Sequence, residues 1–166
     1  VEQAAQAIRK ARRVDFYGMG ASGLVALDAY YKFLRIGKTS QATADTDVQL
    51  VNAATLTDRD VAVVISYSGN TRDMLDVVRV ARRSGATVIS ITKYGKNPIS
   101  QEADIRLFIS ASEIEKRSGA MGSRIAQLTV IDLLFTCVAN RSYDEIEPIL
   151  SRTYQCTASR KISGHS

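Results

Sequence analysis

The chain has 166 residues, 45% of them hydrophobic and 23% charged, a balance that excludes a disordered or fibrous chain and is large enough to bury a core without staples. Lys and Arg total 22 against 17 Asp and Glu, a formal net charge of +5 that permits an acidic partner without identifying one. No uninterrupted apolar run approaches the ~18 to 20 residues that cross a bilayer, so no membrane partner is expected.

From Glu2 to Arg13 the chain is rich in Ala, Gln and Arg, with Ala4, Ile8 and Ala11 at helical spacing, which predicts a first helix. Val14 to Tyr17, closed by Gly18, predicts a short strand. From Ser22 the period changes. Leu24, Leu27, Tyr31 and Leu34 recur at helical intervals and Gly37 ends the run, which predicts an amphipathic helix with a glycine stop. A short strand over 39–44 and a short helix over 48–54 follow. Asp60 to Ser66 is a continuous β-branched run, as in a strand buried on both faces. Thr71 to Arg83 places Met74, Val77, Val78 and Ala81 on one helix face, Gly85 stops it, and Thr87 to Ile91 predicts the next buried strand. Ile105 to Ile109 predicts a fifth. Between Gly122 and Ala139 apolar residues wrap nearly the whole helix, which therefore needs cover on all sides, from a last helix over 143–154 and from either the rest of the chain or a second subunit. The polar tail after Ala158 predicts fraying. Strands alternating with helices, with no repeat or linker, predict one α/β domain over 1–166 built on a parallel sheet.

In open parallel sheets, ligands bind beyond the carboxyl ends of the strands, where loops turn into helix N-termini. Two such turns carry unusual chemistry. Gly18-Met19-Gly20-Ala21-Ser22-Gly23 follows the first strand, and its glycines admit close approach to outward-pointing amides. Ser66-Tyr67-Ser68-Gly69-Asn70-Thr71 follows the strongest strand and brings three hydroxyls to one helix start. Hydroxyls and amides without lysine form a neutral donor cradle for an anion, assisted by the helix dipole, and a phosphate monoester fits it. A helix cap at Ser68 or Asn70 would need only one such side chain.

The first turn also matches G-x-G-x-x-G, with Asp45 22 residues after Gly23, the spacing of a dinucleotide site. That reading leaves the second turn unexplained. A third segment, Ser112 to Met121, holds Glu113 and Glu115, either of which suits sugar hydroxyls or a general base, or simply a solvated loop. The arginines at 79, 82 and 83, and those of the first helix, read as solvated faces without the motif spacing of nucleic-acid contact. Cys137 and Cys156 make no disulfide framework, so a reduced, cytoplasmic compartment is expected. The sole histidine, His165, stands one residue from the end, which argues against a Ser/His or Cys/His pair; no metal, cofactor or catalytic residue is expected.

At these residues the sequence resembles the SIS (sugar isomerase) domain, in the version that forms the C-terminal half of RpiR-type bacterial transcription regulators. The resemblance rests on Gly18 to Gly23 followed by Tyr31 to Gly37, on Ile65 to Thr71, and on Arg117 to Leu128, and covers about 8–139. It implies a three-layer αβα fold with a five-stranded parallel sheet, and a phosphosugar held by the two turns. Ser22, Ser66, Ser68 and Thr71 match the family's phosphate-binding positions, Gly20, Ala21, Tyr67, Gly69 and Asn70 complete the turns, and Glu113 falls where relatives place an acidic residue near the sugar. It also implies a non-catalytic effector domain of a regulator of sugar metabolism, pairing as a homodimer or higher homo-oligomer and reaching DNA only through an upstream helix-turn-helix half outside this sequence, in keeping with a start at Val1. The alternative it leaves is a sugar-phosphate isomerase or lyase with Glu113 or Glu115 as base.

Overall fold

The computed structural model describes residues 1–111 and 120–158. Along the chain run α1 (Glu2–Lys10), β1 (Arg13–Gly18), α2 (Gly20–Arg35), β2 (Thr39–Gln41), α3 (Thr46–Ala54), β3 (Asp60–Ile65), α4 (Arg72–Arg83), β4 (Thr87–Lys93), α5 (Pro98–Glu102), β5 (Ile105–Ile109), α6 (Met121–Arg141) and α7 (Tyr143–Ala158). The strands form one five-stranded sheet in the order β2-β1-β3-β4-β5, and every pairing is parallel. Helices cover both faces, as the αβα expectation requires. On one side Val14, Phe16, Val63, Ile65 and Ile91 pack with residues of α1, α2, α6 and α7. On the other, Tyr17, Ala62, Val64 and Val88 pack with α3, α4 and α5.

The β-branched run of β3 is buried throughout because both of its faces are covered. Phe33 of α2 sits fully buried, its ring 5.3 Å from Phe16 and 5.7 Å edge-on to Phe135. Burial of a side chain that size stabilises by roughly 1.5–3 kcal/mol. Gly37 ends α2 at φ +74°, where its N–H reaches the Leu34 carbonyl at 3.0 Å and the Lys38 N–H reaches Phe33 at 3.1 Å. That pair of bonds is the glycine stop the sequence predicts.

Several details differ from the sequence reading: the first helix ends at Lys10 and Arg13 opens the strand that follows, and the last helix runs on to Ala158. The second strand closes at Gln41 rather than 44. The second helix starts at Gly20, so Ser22 lies inside its first turn. The five-residue α5 carries no periodicity to read, although Asn97 caps it in a reciprocal bond with Ser100 and Pro98 stands at its first position. The helix α6 buries only one stripe, including Gln127, Ile131, Leu134 and Val138, and leaves Met121, Ile125 and Leu133 exposed. By length and mean hydropathy, 1.3, α6 is also long and apolar enough to cross a membrane; here it packs on α1, α2 and the sheet.

Asp60, buried at the start of β3, accepts from Arg12 Nε at 3.0 Å and Nη2 at 2.7 Å, and from the N–H and Oγ1 of Thr57, both at 2.8 Å. Burial raises its pKa, but the Arg12 and Thr57 bonds outweigh it and hold the carboxyl below its ordinary value. The stability this carboxylate contributes is complete above the unfolded value, ~3.9, and is lost as pH falls through the lower folded value. Urea midpoints taken from pH 7 down to pH 2.5 are expected to fall, and Asp60→Asn to flatten that acid limb; an unchanged limb would place the acid sensitivity elsewhere.

Candidate functional site

The strand order places β1 beside β3 although α2, β2 and α3 separate them along the chain. The helix that follows β1 crosses to one face of the sheet and the helix that follows β3 crosses to the other. Their first turns therefore diverge and open a crevice at the carboxyl edge, the point where ligands bind in sheets of this order. A cavity of about 240 Å³ fills it.

The two predicted turns meet in this cavity. Met19, Ala21 and Ser22 enter from the first, and Ser66, Tyr67, Ser68 and Thr71 from the second. Ile65 and Met74 add apolar surface, and α6 contributes Ala120 and Ser123 at its own N-terminus. Among the described lining residues none is charged. Three helices thus begin at one cavity, and the N–H groups of a first helical turn have no carbonyl within their own helix to bond. Five aliphatic hydroxyls (Ser22, Ser66, Ser68, Thr71 and Ser123) join them. Such a lining offers many neutral donors and a favourable dipole potential to an anion.

The hydroxyls are held in place. Ser66, buried at the end of β3, shares a bond with Thr71, Oγ to Oγ1 at 3.2 Å, so one of the two protons remains for a guest. Ser68 Oγ accepts the Asn70 N–H at 3.2 Å, which leaves its own proton to donate. Neither Ser68 nor Asn70 caps α4: the N-cap is Thr71, without a side-chain cap bond. Ser22 accepts from Gln127 Nε2 of α6 at 3.0 Å. The second turn is tied on every side, Tyr67 Oη donating to the Ala111 carbonyl at 2.7 Å, the Tyr67 carbonyl accepting from Lys93 N–H at 2.8 Å, and the Gly69 carbonyl accepting from Ile99 N–H at 3.2 Å.

Gly20, Gly69 and Asn70 do not line the cavity; they shape the turns that do. Gly20 and Gly69 both adopt positive φ, +54° and +68°. A Cβ on Gly18 would meet the Ser22 carbonyl oxygen at 2.5 Å, and one on Gly23 would meet the Gly18 carbonyl oxygen at 3.2 Å, so the spacing of these glycines follows from the close packing of α2 on β1. Asp45 caps α3 by accepting the Val48 N–H at 3.0 Å and does not reach the cavity. The acidic residue of the dinucleotide reading is therefore engaged elsewhere. Glu113 and Glu115 lie outside the described residues, as does His165. The sequence reading missed Met19, Ile65, Met74, Ala120, Ser123 and Gln127. For Gln127 a signal existed, since it is the one amide within the apolar run from Ile125 to Val138.

Beneath β1 and β2 lies a second polar cluster, apart from the cavity. The buried Asp15 carboxylate accepts from Arg13 Nε at 2.9 Å, Asn52 Nδ2 at 3.0 Å and the Gln41 N–H at 3.0 Å, and its Oδ2 lies 2.6 Å from Arg13 Nη2. Burial pushes the Asp15 carboxyl above its usual range against the pull of Arg13 and Asn52. Burial and Asp15 likewise push Tyr17 up, so it stays protonated and donates to Asp15 Oδ2 at 3.4 Å.

The sequence profile of the SIS domain matches residues 7–137. An uncharacterized HTH-type transcriptional regulator of Caldanaerobacter subterraneus subsp. tengcongensis is 48% identical over 161 residues, 97% of this chain and 57% of the relative. The HTH-type transcriptional regulator HexR of Pseudomonas aeruginosa is 38% identical over 152 residues, 92% of this chain and 53% of that protein. This chain thus spans little more than half the length of these relatives. Among solved structures, Vibrio vulnificus NanR in complex with ManNAc-6P superposes with a TM-score of 0.89 at 23% identity, over 97% of this chain and 61% of that one, and shows the same fold.

Proposed function

The chain belongs to the SIS-domain family, and from that premise we propose that it is the phosphosugar-binding effector domain of a bacterial RpiR-type transcriptional regulator of sugar metabolism. The observation that carries this reading is the cavity of neutral donors at three converging helix N-termini. Ser22, Ser66, Ser68 and Thr71 hold the phosphate, in turns completed by Gly20, Ala21, Tyr67, Gly69 and Asn70, and Glu113 is the residue assigned to the sugar. The regulator relatives support a sensor rather than an enzyme; in this reading it works in the cytoplasm as a homodimer or higher homo-oligomer and reaches DNA through a helix-turn-helix half upstream of residues 1–166. The NanR complex with ManNAc-6P supports a sugar phosphate as effector. Ligand control then requires only that the sugar phosphate bind one arrangement of the regulator more tightly than another.

A panel of sugar phosphates and NAD(H) tested by thermal shift is expected to stabilise the chain with at least one sugar phosphate and with neither dinucleotide, by about 2.7 kcal/mol at a concentration of 100 times Kd. Ser68→Ala with Thr71→Val is expected to weaken that binding while the ligand-free melting temperature holds; unchanged affinity would move the phosphate elsewhere. The same preparation is expected to sediment as a dimer at micromolar concentration. Conversion of the bound sugar phosphate, abolished by Glu113→Gln, would replace the sensor with the isomerase reading.

A further inference from the structure

Gln127 is 1% exposed on α6, in the buried stripe that also holds Ile131, Leu134 and Val138. A buried amide has two donors and an acceptor to satisfy, and a helix that needs only packing would place an apolar side chain there. The amide is instead directed at one atom of the cavity. Nε2 lies 3.0 Å from Ser22 Oγ, while Oε1 lies 3.4 Å from the same oxygen. The shorter contact is the better hydrogen bond. With Nε2 donating, the Ser22 oxygen serves as acceptor, and its own proton is free to turn into the cavity.

We infer that Gln127 is a positioning residue for the bound anion: it holds Ser22 as a donor toward the cavity and links the second turn of α6 to the ligand through a buried N–H···O–H···anion chain. This rests on the anion-binding reading of the cavity and deepens it. Each hydrogen bond in such a chain polarises the next, and the low dielectric around a buried amide strengthens the effect. The same helix contributes Ala120 and Ser123 to the lining, so the anion meets α6 directly at its N-terminus and again, through Ser22, two turns along. At its far end α6 carries Arg141, which pairs with Glu2 of α1. Loss of the amide therefore affects a donor that touches the anion.

Inorganic phosphate is the probe, titrated against the folded chain by calorimetry. Gln127→Met, which keeps length and loses both donors, is expected to weaken phosphate binding about tenfold, the size of one hydrogen bond to a charged group. In a Ser22→Ala background the same substitution is expected to cost no further affinity, because the chain is already broken. A purely structural glutamine would weaken binding equally in both backgrounds, or in neither, and either result overturns the inference while the phosphate site itself stands. A second readout leaves Gln127 intact: its side-chain amide cross-peaks in ¹⁵N NMR are expected to shift on phosphate addition in the wild type and to stay in place in Ser22→Ala. Peaks that move alike in both chains overturn the inference even if Gln127→Met fails to fold. A wild-type chain that binds no phosphate removes the anion reading and this inference together.

Discussion

Gly69→Ala is expected to destabilise the chain by about 3–5 kcal/mol and to abolish ligand stabilisation at the cavity. Gly69 has φ +68°, and a Cβ there would stand 2.0 Å from Asn97 Oδ1 and 2.1 Å from Asn97 Cγ. The left-handed backbone alone costs an alanine roughly 1–2 kcal/mol. The clash adds to it because Asn97 has nowhere to go. It is buried, its Oδ1 accepts the Ser100 N–H at 2.8 Å, and its Nδ2 donates to Thr92 Oγ1 at 3.1 Å and to the Gly95 carbonyl at 3.2 Å. Moving it gives up several bonds worth about 0.5–1.5 kcal/mol each; keeping it displaces the turn that presents Ser66 and Ser68. Gly20→Ala is the matched control, because its φ is +54° but a Cβ there meets nothing within 4 Å, so only the backbone cost applies. Calorimetric melting is expected to place Gly69→Ala lower by roughly 10 °C and Gly20→Ala lower by much less. Equal losses would show that the Asn97 contact yields freely.

The second large effect is at Asp15, far from any ligand. Asp15→Ala is expected to cost about 3–5 kcal/mol, since removing the buried member of a hydrogen-bonded charge network leaves the donors around it unsatisfied. Arg13, Asn52 and the Gln41 N–H lose their common acceptor, and Tyr17 loses the carboxylate to which it donates. Burial acts on this carboxyl more strongly than its partners do, so much of the effect comes from the buried donors left without an acceptor rather than from the attraction lost, while Arg13 keeps Asn52, Gln41 and Thr55 as acceptors. The double variant Arg13→Met with Asp15→Leu is therefore expected to be more stable in urea than Asp15→Ala alone. A double variant as unstable as the sum of its single changes would mean that the two residues act independently.

Much of the site was legible in the sequence because its chemistry is local. The turns Gly18 to Gly23 and Ser66 to Thr71 are continuous segments, each following a run of buried-strand residues and preceding a helical period, and the structure brings both to one cavity. Asp15 is the opposite case. A carboxylate inside a buried strand announces that it needs a partner, but not that Asn52, 37 positions away, supplies part of it. The exposure of one side of α6 was equally beyond reach, because a helix apolar on every side reads the same whichever stripe meets the sheet. The helix α5 failed to register because five residues hold too few turns to show a period.

The sequence by itself determined the alternation of strands and helices, the placement of the glycines that end α2 and α4, and the hydroxyl-bearing turns after β1 and β3. These depend on backbone geometry and on side-chain periodicity within a few turns of chain. Only the tertiary structure decided that β1 lies beside β3, that α2 and α4 leave on opposite faces, and that α6 brings Ser123 to the same cavity and Gln127 to Ser22. Strand order and helix placement follow from how the whole chain buries its apolar surface at once, a balance between residues that are distant in sequence and that no local pattern records.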